Sequence, residues 1–435
     1  MATSSLSYDE ATYVELASHP WRSGFYPDAI FVRHPPLYFL LMWAWTAVAG
    51  TSEVAVRLPS LAASLGGVVL TWAALRRLGG DRAAALGAIL LGTSFLTLTY
   101  GLQATMYPLG FGLAALGLWA HAERRERTEK AALGLLCLTH LFGFVFAGVW
   151  LWRRRIRTRR DYLPFAPAAL WLALAAISVI LVGNPAGPAL GPAWQMLRVF
   201  ALLYEAFVEE GALFIHVAVF ALALLLLNPA VLRAAWKARR RWSPWAAAGI
   251  LLTIGLLPGP GFLRYALLLV PAVLAAGLPD LARSTRYPRV ATAVIASALL
   301  ATTASAAYVM SGLDPRVGND VPGHIEWTET ADRVADAAPG VVYAPAPTAL
   351  AYYLQQRHGW VVSDNVDGPS RLELQGASNE SLVILELARP SQLAATSAGA
   401  LVVLPLAWVD EADLAGFAAC GDVEGARILR HANVC

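Results

Sequence analysis

Residues 7–38, SYDEATYVELASHPWRSGFYPDAIFVRHPPLY, decide how the rest of the chain is interpreted. They form a long polar segment ahead of a sequence that otherwise runs from one apolar block to the next. Two adjacent carboxylates, Asp9 and Glu10, precede an Arg33-His34-Pro35-Pro36 turn. Ionisable groups beside a membrane domain are costly unless they are solvated or paired, so these residues are functional candidates.

The composition predicts a membrane protein. Of the 435 residues, 57% are hydrophobic and 14% are charged, and the mean hydropathy is +0.53. These values are not typical of a soluble globular protein. Many apolar blocks approach the roughly 20 residues that a helix needs to cross a bilayer. The net charge of +3 is small, but basic residues concentrate in the short loops between blocks and so predict the orientation.

The apolar blocks predict eight spans and one hairpin. The spans are 54–78, 83–102, 104–121, 163–183, 211–229, 245–258, 262–279 and 289–311. The block 131–152 lies between the basic segments 123–130 and 153–160, which the positive-inside rule places on one side, the cytoplasmic side. We therefore expect a re-entrant hairpin broken near Thr139-His140 or Gly143. The block 35–50 is short enough to predict an interfacial or re-entrant helix.

The basic loops also predict which parts are external. Placing Arg76, Arg77 and Arg82 in the cytoplasm leaves both termini and everything beyond residue 312 outside. We expect a multi-pass protein of the plasma (cytoplasmic) membrane with extracytoplasmic termini.

The composition changes at about residue 312, where charged residues return. Short β-like runs appear at 341–343, 382–385 and 401–404, with a helix-like segment at 346–357. Strands alternating with helical patterns predict an α/β unit. The fold class is thus an α-helical polytopic membrane protein with a small C-terminal α/β extracytoplasmic domain. The predicted divisions are 1–53, an external catalytic loop with juxtamembrane helices; 54–311, the transmembrane domain; and 312–435, the external domain.

The candidate residues each have a structural alternative. Asp9 or Glu10 could deprotonate a hydroxyl acceptor, but Ser7-Tyr8-Asp9-Glu10 is also a capping box. Arg33 and His34 could donate to a phosphate, or form a basic interfacial turn. Arg57 and Arg264, at external span ends, could bind phosphate oxygens or extend to lipid headgroups. A lone histidine such as His140 is more often a packing residue than a ligand.

Several classes of site are missing from the sequence. It contains no nucleotide-binding fingerprint, no metal motif and no basic, aromatic-rich patch for nucleic acid, so we predict no cofactor and no nucleic-acid partner. The three cysteines give no metal-ligand spacing. Cys420 and Cys435 could form a disulfide if the tail is external, or could both be free.

Taken together, seven segments resemble the GT-C glycosyltransferases, specifically the family-39-like group of protein O-mannosyltransferases and aminoarabinose transferases. These are DEATY at 9–13, HPPLYFLLMWAWTAVAG at 34–50, SEVAVRLPSLAASLGG at 52–67, RRLG at 76–79, LQATMYPLGFGLAALGLW at 102–119, LTHLFGFVF at 138–146 and RYALLLVPAVLAAG at 264–277. Their order and spacing follow the family over roughly residues 8–280.

The resemblance implies a GT-C-like transmembrane domain, a polyprenyl-phosphate-linked sugar donor, and transfer to a glycan, lipid or protein hydroxyl outside the bilayer. It implies Asp9, and less surely Glu10, as the catalytic base. It implies Arg264 and Tyr265 near the donor phosphate, where we also place Arg57 and Arg33. The remaining candidates form the predicted substrate pocket: His34, Gln103, Tyr107 and His140.

The sequence departs from the family at two points. Many relatives have Gln-Glu-Ala-Arg before Met-Tyr, whereas this chain has Gln103-Ala104-Thr105 before Met106-Tyr107 and so lacks a second acid there. Relatives usually carry a transmembrane helix before the Asp-Glu loop, and here Asp9 is near the start of the sequence. Two other functions therefore stay open, a transporter of lipid-linked sugars and an inactive scaffold of an envelope-assembly complex. The external position of the charges favours an enzyme over a transporter.

Overall fold

The protein is described by a computed structural model. The structure describes residues 8–18, 35–92, 94, 97–98, 100–154, 159–182, 243–248, 262–283, 325–337, 340–364, 371–376, 380–387, 390–406, 414–423 and 426–431, together with Leu6, Val409 and Ala412. Its helices and strands divide into two compact units. Unit 1 comprises Met1–Ser23, Met42–Val56 and Tyr308–Cys435, and unit 2 comprises Gly24–Leu41 and Arg57–Ala307. The domain divisions predicted from sequence stay a prediction.

The helices before the C-terminal sheet are short, with two exceptions. They are α1 (Tyr8–Ser18), α2 (Leu37–Ala49), α3 (Glu53–Gly79), α4 (Asp81–Gly92), α5 (Met106–Ala122), α6 (Glu126–Cys137), α7 (Phe142–Arg154), α8 (Arg159–Tyr162), α9 (Ala166–Val182) and α10 (Phe262–Arg283), with a 3₁₀ turn at Leu163–Phe165. Among the described helices, α3 alone, with 27 residues, has both the length and the apolar character to cross a membrane.

Unit 2 is built around α5. Eleven of its 17 residues are buried, and the helix packs along α6 and α10. Glycine allows these close contacts: a Cβ at Gly110 would lie 2.5 Å from Leu268 of α10, and one at Gly117 would lie 2.1 Å from the Trp245 ring. Both distances are far below van der Waals contact, so a larger residue at either position would force the neighbouring side chain to shift.

The hairpin predicted in 131–152 has its break where the sequence placed it. Helix α6 ends at Cys137 and α7 begins at Phe142, so Thr139 and His140 are non-helical. The Thr139 hydroxyl donates to the Leu135 carbonyl oxygen at 2.8 Å, and satisfies one of the carbonyls left free at the helix end. The break is confirmed, whereas its re-entrant orientation stays a prediction.

Three predicted boundaries are wrong. The block 83–102 is not one helix: α4 ends at Gly92, and the Ser94 hydroxyl accepts from the Thr97 N–H at 3.1 Å, as a helix-capping serine does. The segment 123–130 is not a loop throughout, because α6 begins at Glu126 after a short turn with Arg124 at φ 57°. The span 163–183 begins as a 3₁₀ turn around Pro164.

The other predicted spans either match helices of the structure or lie wholly or partly outside the described residues. Helix α3 matches 54–78, α5 matches 104–121 to within two residues, and α10 runs four residues beyond 279. Residues 244–248 are helical at the start of 245–258. The predicted spans 211–229 and 289–311 lie outside the described residues.

The C-terminal part of unit 1 is an α/β domain, as predicted. Its described elements are α11 (Trp327–Ala337), β1 (Val341–Ala344), α12 (Pro347–His358), β2 (Val361–Asp364), β3 (Arg371–Gln375), β4 (Ser381–Glu386), β5 (Leu401–Pro405), β6 (Phe417–Val423) and β7 (Ala426–His431), with a 3₁₀ turn at Pro390–Ala395. The strands form a seven-stranded sheet in the order β2-β3-β4-β1-β5-β7-β6. Strands β4, β1 and β5 are parallel, and the other pairs are antiparallel.

Helix α12 covers this sheet and contacts β1 to β4. Pro347 at its first position suits a helix start. It ends at Gly359, whose φ of +68° lets the Gly359 N–H donate to the Gln355 carbonyl and the Trp360 N–H to the Leu354 carbonyl. The resulting helix is rigidly seated and presents its outer face to other segments of unit 1.

A carboxylate between α11 and α12 gives the domain a pH-dependent contact. The Arg357 guanidinium donates to both Asp332 oxygens, at 2.9 and 2.8 Å, and lowers the pKa of that carboxyl below its usual value. Because the folded-state pKa is depressed, the stabilisation is present above the unfolded pKa of about 3.9 and is lost as the pH falls through the folded value.

We therefore expect Asp332→Asn to lower the melting temperature of the full chain at pH 6 by roughly 1–2 °C, since an exposed ion pair contributes little. At pH 3, below the unfolded pKa, the difference from wild type should be smaller than at pH 6. Scanning calorimetry of the detergent-purified chain measures both, with Asp336→Asn, an exposed carboxylate of the same helix, as the control. A difference that widens at pH 3 would contradict the assignment.

Cys420, on β6, is disulfide-bonded, whereas Cys137 is a free, buried thiol. This resolves the alternative left open for Cys420 in favour of a disulfide. Cys435 lies outside the described residues.

Candidate functional site

The acidic pair lies at the start of α1. Asp9 and Glu10 are in its first turn, and Glu10 is 2% exposed. Buried residues recur along α1 at Glu10, Tyr13, Val14 and Ala17, the spacing of one helical face. Helix α1 packs against α12. Glu10 therefore belongs to a packing face, and the capping interaction of Ser7 lies outside the described residues.

The predicted phosphate-binding residues lie on different elements. Arg57 is in the second turn of α3 and is 9% exposed, so its guanidinium is not a solvated surface group. Arg264 and Tyr265 occupy the first turn of α10. Arg33 and His34 lie outside the described residues.

Two residues of the predicted pocket are in contact. The Tyr107 and His140 ring centroids are 5.8 Å apart, and the Phe142 and His140 ring centroids are 4.5 Å apart. Both Tyr107 (2% exposed) and His140 (6% exposed) are buried. Two aromatic neighbours thus restrict the orientation of the imidazole, in agreement with the packing interpretation of His140.

A backbone contact fixes the tautomer of His140. The Phe142 N–H donates to His140 Nδ1 at 3.2 Å, so Nδ1 must be the unprotonated nitrogen. The neutral ring then carries its proton on Nε2 and acts as a donor there. The break between α6 and α7 thus presents an oriented hydrogen-bond donor.

The start of α2 is joined to this break. The Leu37 N–H, which follows the Pro35-Pro36 turn, donates to the Leu138 carbonyl at 2.9 Å. Gln103 lies in the turn before α5, where its carbonyl accepts from the Thr105 N–H at 2.7 Å. The structure therefore brings Tyr107, His140 and the Pro-Pro segment together. Gln103 lies four residues before Tyr107, in the turn that leads into α5.

Sequence reasoning missed a polar face on α3. Ser60, Ser64 and Thr71 are all buried and follow Arg57 at helical spacing. The Ser64 hydroxyl donates to the Gly101 carbonyl at 2.8 Å, which ties α3 to the turn before α5. Within the described part of the chain, the Ser60 and Thr105 hydroxyls have no hydrogen-bond partner. Helical periodicity of the polar residues could have revealed this face.

Sequence reasoning also missed a buried carboxylate, Glu129. Its Oε1 lies 2.8 Å from His121 Nδ1 and accepts from the Trp245 indole N–H at 3.0 Å. Glu129 falls in the basic segment 123–130 and Trp245 is 116 residues away in sequence, so no local pattern indicates the contact. This cluster joins α5, α6 and residues 244–248.

Across the residues that the structure describes, no group of three or more histidine, cysteine or carboxylate side chains is placed to hold a metal ion. The expectation that the protein uses no cofactor stays a prediction.

Comparison with known proteins finds a family match for part of the chain and solved structures with the same fold. Residues 33–182 match the family model of dolichyl-phosphate-mannose-protein mannosyltransferases. Crystal structures of ArnT from Cupriavidus metallidurans have the same fold: the apo form aligns at 16% identity with a TM-score of 0.51, and the form bound to undecaprenyl phosphate at 16% with 0.56. Each alignment covers 98% of this chain and 94% of the ArnT chain. No curated protein matches the chain significantly.

The chain is therefore a polytopic membrane protein with a GT-C-like fold and a C-terminal sheet. Its fold and its family match over residues 33–182 both confirm the resemblance to GT-C glycosyltransferases deduced from its motifs. The family match includes Arg33, His34, Arg57 and the Tyr107–His140 contact, whereas Asp9, Glu10, Arg264 and Tyr265 lie outside it. The roles of the individual residues stay predictions.

Proposed function

We propose that the protein transfers a sugar from a polyprenyl-phosphate-linked donor to a hydroxyl group of a glycan, lipid or protein acceptor on the external side of the membrane. The family match over residues 33–182 carries this proposal, since that family is named for a lipid-phosphate-linked sugar donor. The ArnT structure of the same fold that is bound to undecaprenyl phosphate supports the class of lipid carrier.

The proposed reaction is a displacement at the anomeric carbon of the sugar. Asp9 takes the proton of the acceptor hydroxyl while the acceptor oxygen forms its bond to that carbon. The bond between the carbon and the donor phosphate oxygen breaks, and its electron pair stays on the lipid phosphate. Arginine side chains stabilise the negative charge that develops there, with Arg57, Arg264 and Arg33 as the candidates.

Tyr265, His34 and the Tyr107–His140 contact are proposed to orient the donor. Holding both substrates in line removes much of the entropic barrier to a reaction between two molecules. The burial of Arg57 supports its proposed role in binding the donor phosphate, because a guanidinium enclosed by protein interacts more strongly with a phosphate than one in water does.

The external location of the reaction is supported by Cys420. Disulfides form and persist in oxidising compartments, outside the cytoplasm. The disulfide at Cys420 thus agrees with an extracytoplasmic C-terminal domain.

The decisive experiment is sugar transfer by the purified chain in liposomes that contain a mixture of polyprenyl-phosphate-linked sugars, with a hydroxyl acceptor pool from the cell envelope. Formation of a glycosylated acceptor supports the proposal. Passage of the donor across the bilayer without transfer would favour the transporter alternative, and neither activity would favour the scaffold.

His140 offers a test within the pocket. Asparagine retains a group near the position of Nδ1 and loses the Nε2 donor, whereas glutamine retains a donor near the position of Nε2. We expect His140→Asn to raise the donor KM about tenfold, the loss expected for a hydrogen bond to a charged group, and His140→Gln to stay much nearer wild type. Steady-state kinetics with varied donor measure this, and equal effects of the two variants would contradict the proposed donor role.

A further inference from the structure

Helix α12 of the C-terminal domain makes side-chain hydrogen bonds to two segments that are 300 or more residues away in sequence. The Tyr352 hydroxyl donates to the Thr51 carbonyl, and Gln356 Nε2 donates to the Thr51 hydroxyl at 2.7 Å. The Tyr353 hydroxyl donates to Glu53 Oε1 and accepts from the Leu6 N–H at 2.8 Å. We call Tyr352, Tyr353 and Gln356 the α12 clamp.

The clamp is well ordered by its own packing. Tyr352 and Tyr353 are 3% and 4% exposed, and their rings meet edge to face with centroids 5.0 Å apart. Adjacent buried tyrosines whose hydroxyls are both engaged have little rotational freedom. Tyr353 uses its hydroxyl both as donor and as acceptor, and so joins two segments through one oxygen atom.

The first of these segments leads directly into α1. Leu6 is 1% exposed and lies two residues before the helix that carries Asp9 and Glu10. The buried face of α1, with Glu10, packs on the same helix α12. The clamp therefore fixes the start of α1, and packing fixes its rotation.

The second segment is the start of α3. The Ser52 hydroxyl accepts from the Ala55 N–H at 3.3 Å, and the Trp45 indole N–H donates to the Ala55 carbonyl at 2.8 Å, so this turn is already rigid. Glu53 is the first residue of α3, and a carboxylate in a first helical turn is stabilised by the helix dipole. Tyr353 thus connects the entry of α1 to the first turn of α3.

We infer that Tyr353 is a positioning residue, which holds the acidic helix α1 in register with the start of α3 and makes the C-terminal domain part of the catalytic apparatus. This inference rests on the proposed function, since it assigns Asp9 or Glu10 as the base. Tyr353 touches neither substrate, and it acts through the placement of α1. A displacement of about 1 Å at a catalytic group is enough to slow a reaction by about 100-fold.

The test is Tyr353→Phe, which removes one oxygen atom and keeps the ring. We expect kcat for sugar transfer to fall about tenfold while the donor KM stays within about twofold, because the acid is misplaced and the donor site is not. Tyr343→Phe is the matched control, since Tyr343 packs against the sheet cluster around Val402 and Leu404 in the same domain. Its kcat should equal that of wild type.

A double-mutant cycle separates positioning from general loss of structure. Glu53→Ala removes the acceptor of the Tyr353 hydroxyl, so the double variant should lose little more in kcat than the worse single variant. Losses that multiply, or an unchanged kcat in Tyr353→Phe beside an active wild type, would overturn the positioning role alone. Absence of transfer by the wild type would overturn the proposed function, and the inference with it.

Discussion

Replacing Asp9 by asparagine is expected to reduce sugar transfer by about 100- to 10,000-fold, the range typical for removing a general base. Asparagine has nearly the same size as aspartate but cannot accept the proton of the acceptor hydroxyl. The measurement is the initial rate of transfer from a labelled polyprenyl-phosphate-linked sugar in liposomes at equal protein content. Donor binding should change little, because the base acts on the acceptor.

Two further variants on helix α1 test whether the loss of transfer is due to Asp9 itself. Glu15→Gln neutralises another acid of α1 and should leave transfer unchanged. Glu10→Gln alters the buried face of α1, so its rate must be compared with its melting temperature. Normal transfer by Asp9→Asn with loss in a stably folded Glu10→Gln would move the base to Glu10, and normal transfer by both would remove the acidic pair from the mechanism.

Replacing Arg264 by alanine is expected to weaken donor binding about 100-fold, since the loss of a hydrogen bond to a charged group costs about 1.5–3 kcal/mol. Lysine should restore binding only in part, because it supplies the charge without the planar pair of donors. Binding of a labelled polyprenyl-phosphate-linked sugar to the purified chain measures both variants.

Helix α10 supplies the matched control for this prediction. Arg283 is its last residue, 19 positions beyond Arg264 and therefore about 28 Å away along the helix. Arg283→Ala removes the same charge from the same helix and should leave donor binding unchanged. If the two variants bind the donor equally well, Arg264 has no part in the phosphate site and the candidates reduce to Arg57 and Arg33.

The sequence predicted the central strands of the C-terminal sheet and missed the outer ones for a physical reason. Strands β1, β4 and β5 lie side by side in the middle of the sheet and contain the apolar runs 341–343, 382–385 and 401–404. Strands β2, β3, β6 and β7 lie toward the edges, and β3 alternates buried and partly buried residues as Arg-Leu-Glu-Leu-Gln. Such short, polar strands are difficult to distinguish from loops.

Some features of the candidate site follow from neighbouring residues and could be predicted from the sequence, whereas others depend on contacts that the local sequence does not indicate. The break at Thr139-His140 was predictable because a polar pair interrupts an apolar block between two basic segments. The tautomer of His140 depends on the hydrogen bond from the Phe142 N–H, and no sequence pattern indicates that bond. The bond between Leu6 and Tyr353 spans 347 residues, and a contact of that range leaves no trace in local composition or periodicity.

That long-range bond also sets when the protein can become active during its synthesis. Leu6 is made before Tyr353, which is added 347 residues later. At about 5–20 residues per second, this interval is roughly 20–70 s. Throughout it, α1 has no α12 to dock on, so the growing chain enters the membrane with its acidic helix unplaced. The proposed base is thus positioned only after α12 has been made, and a product of translation interrupted before α12 would be released without a positioned base.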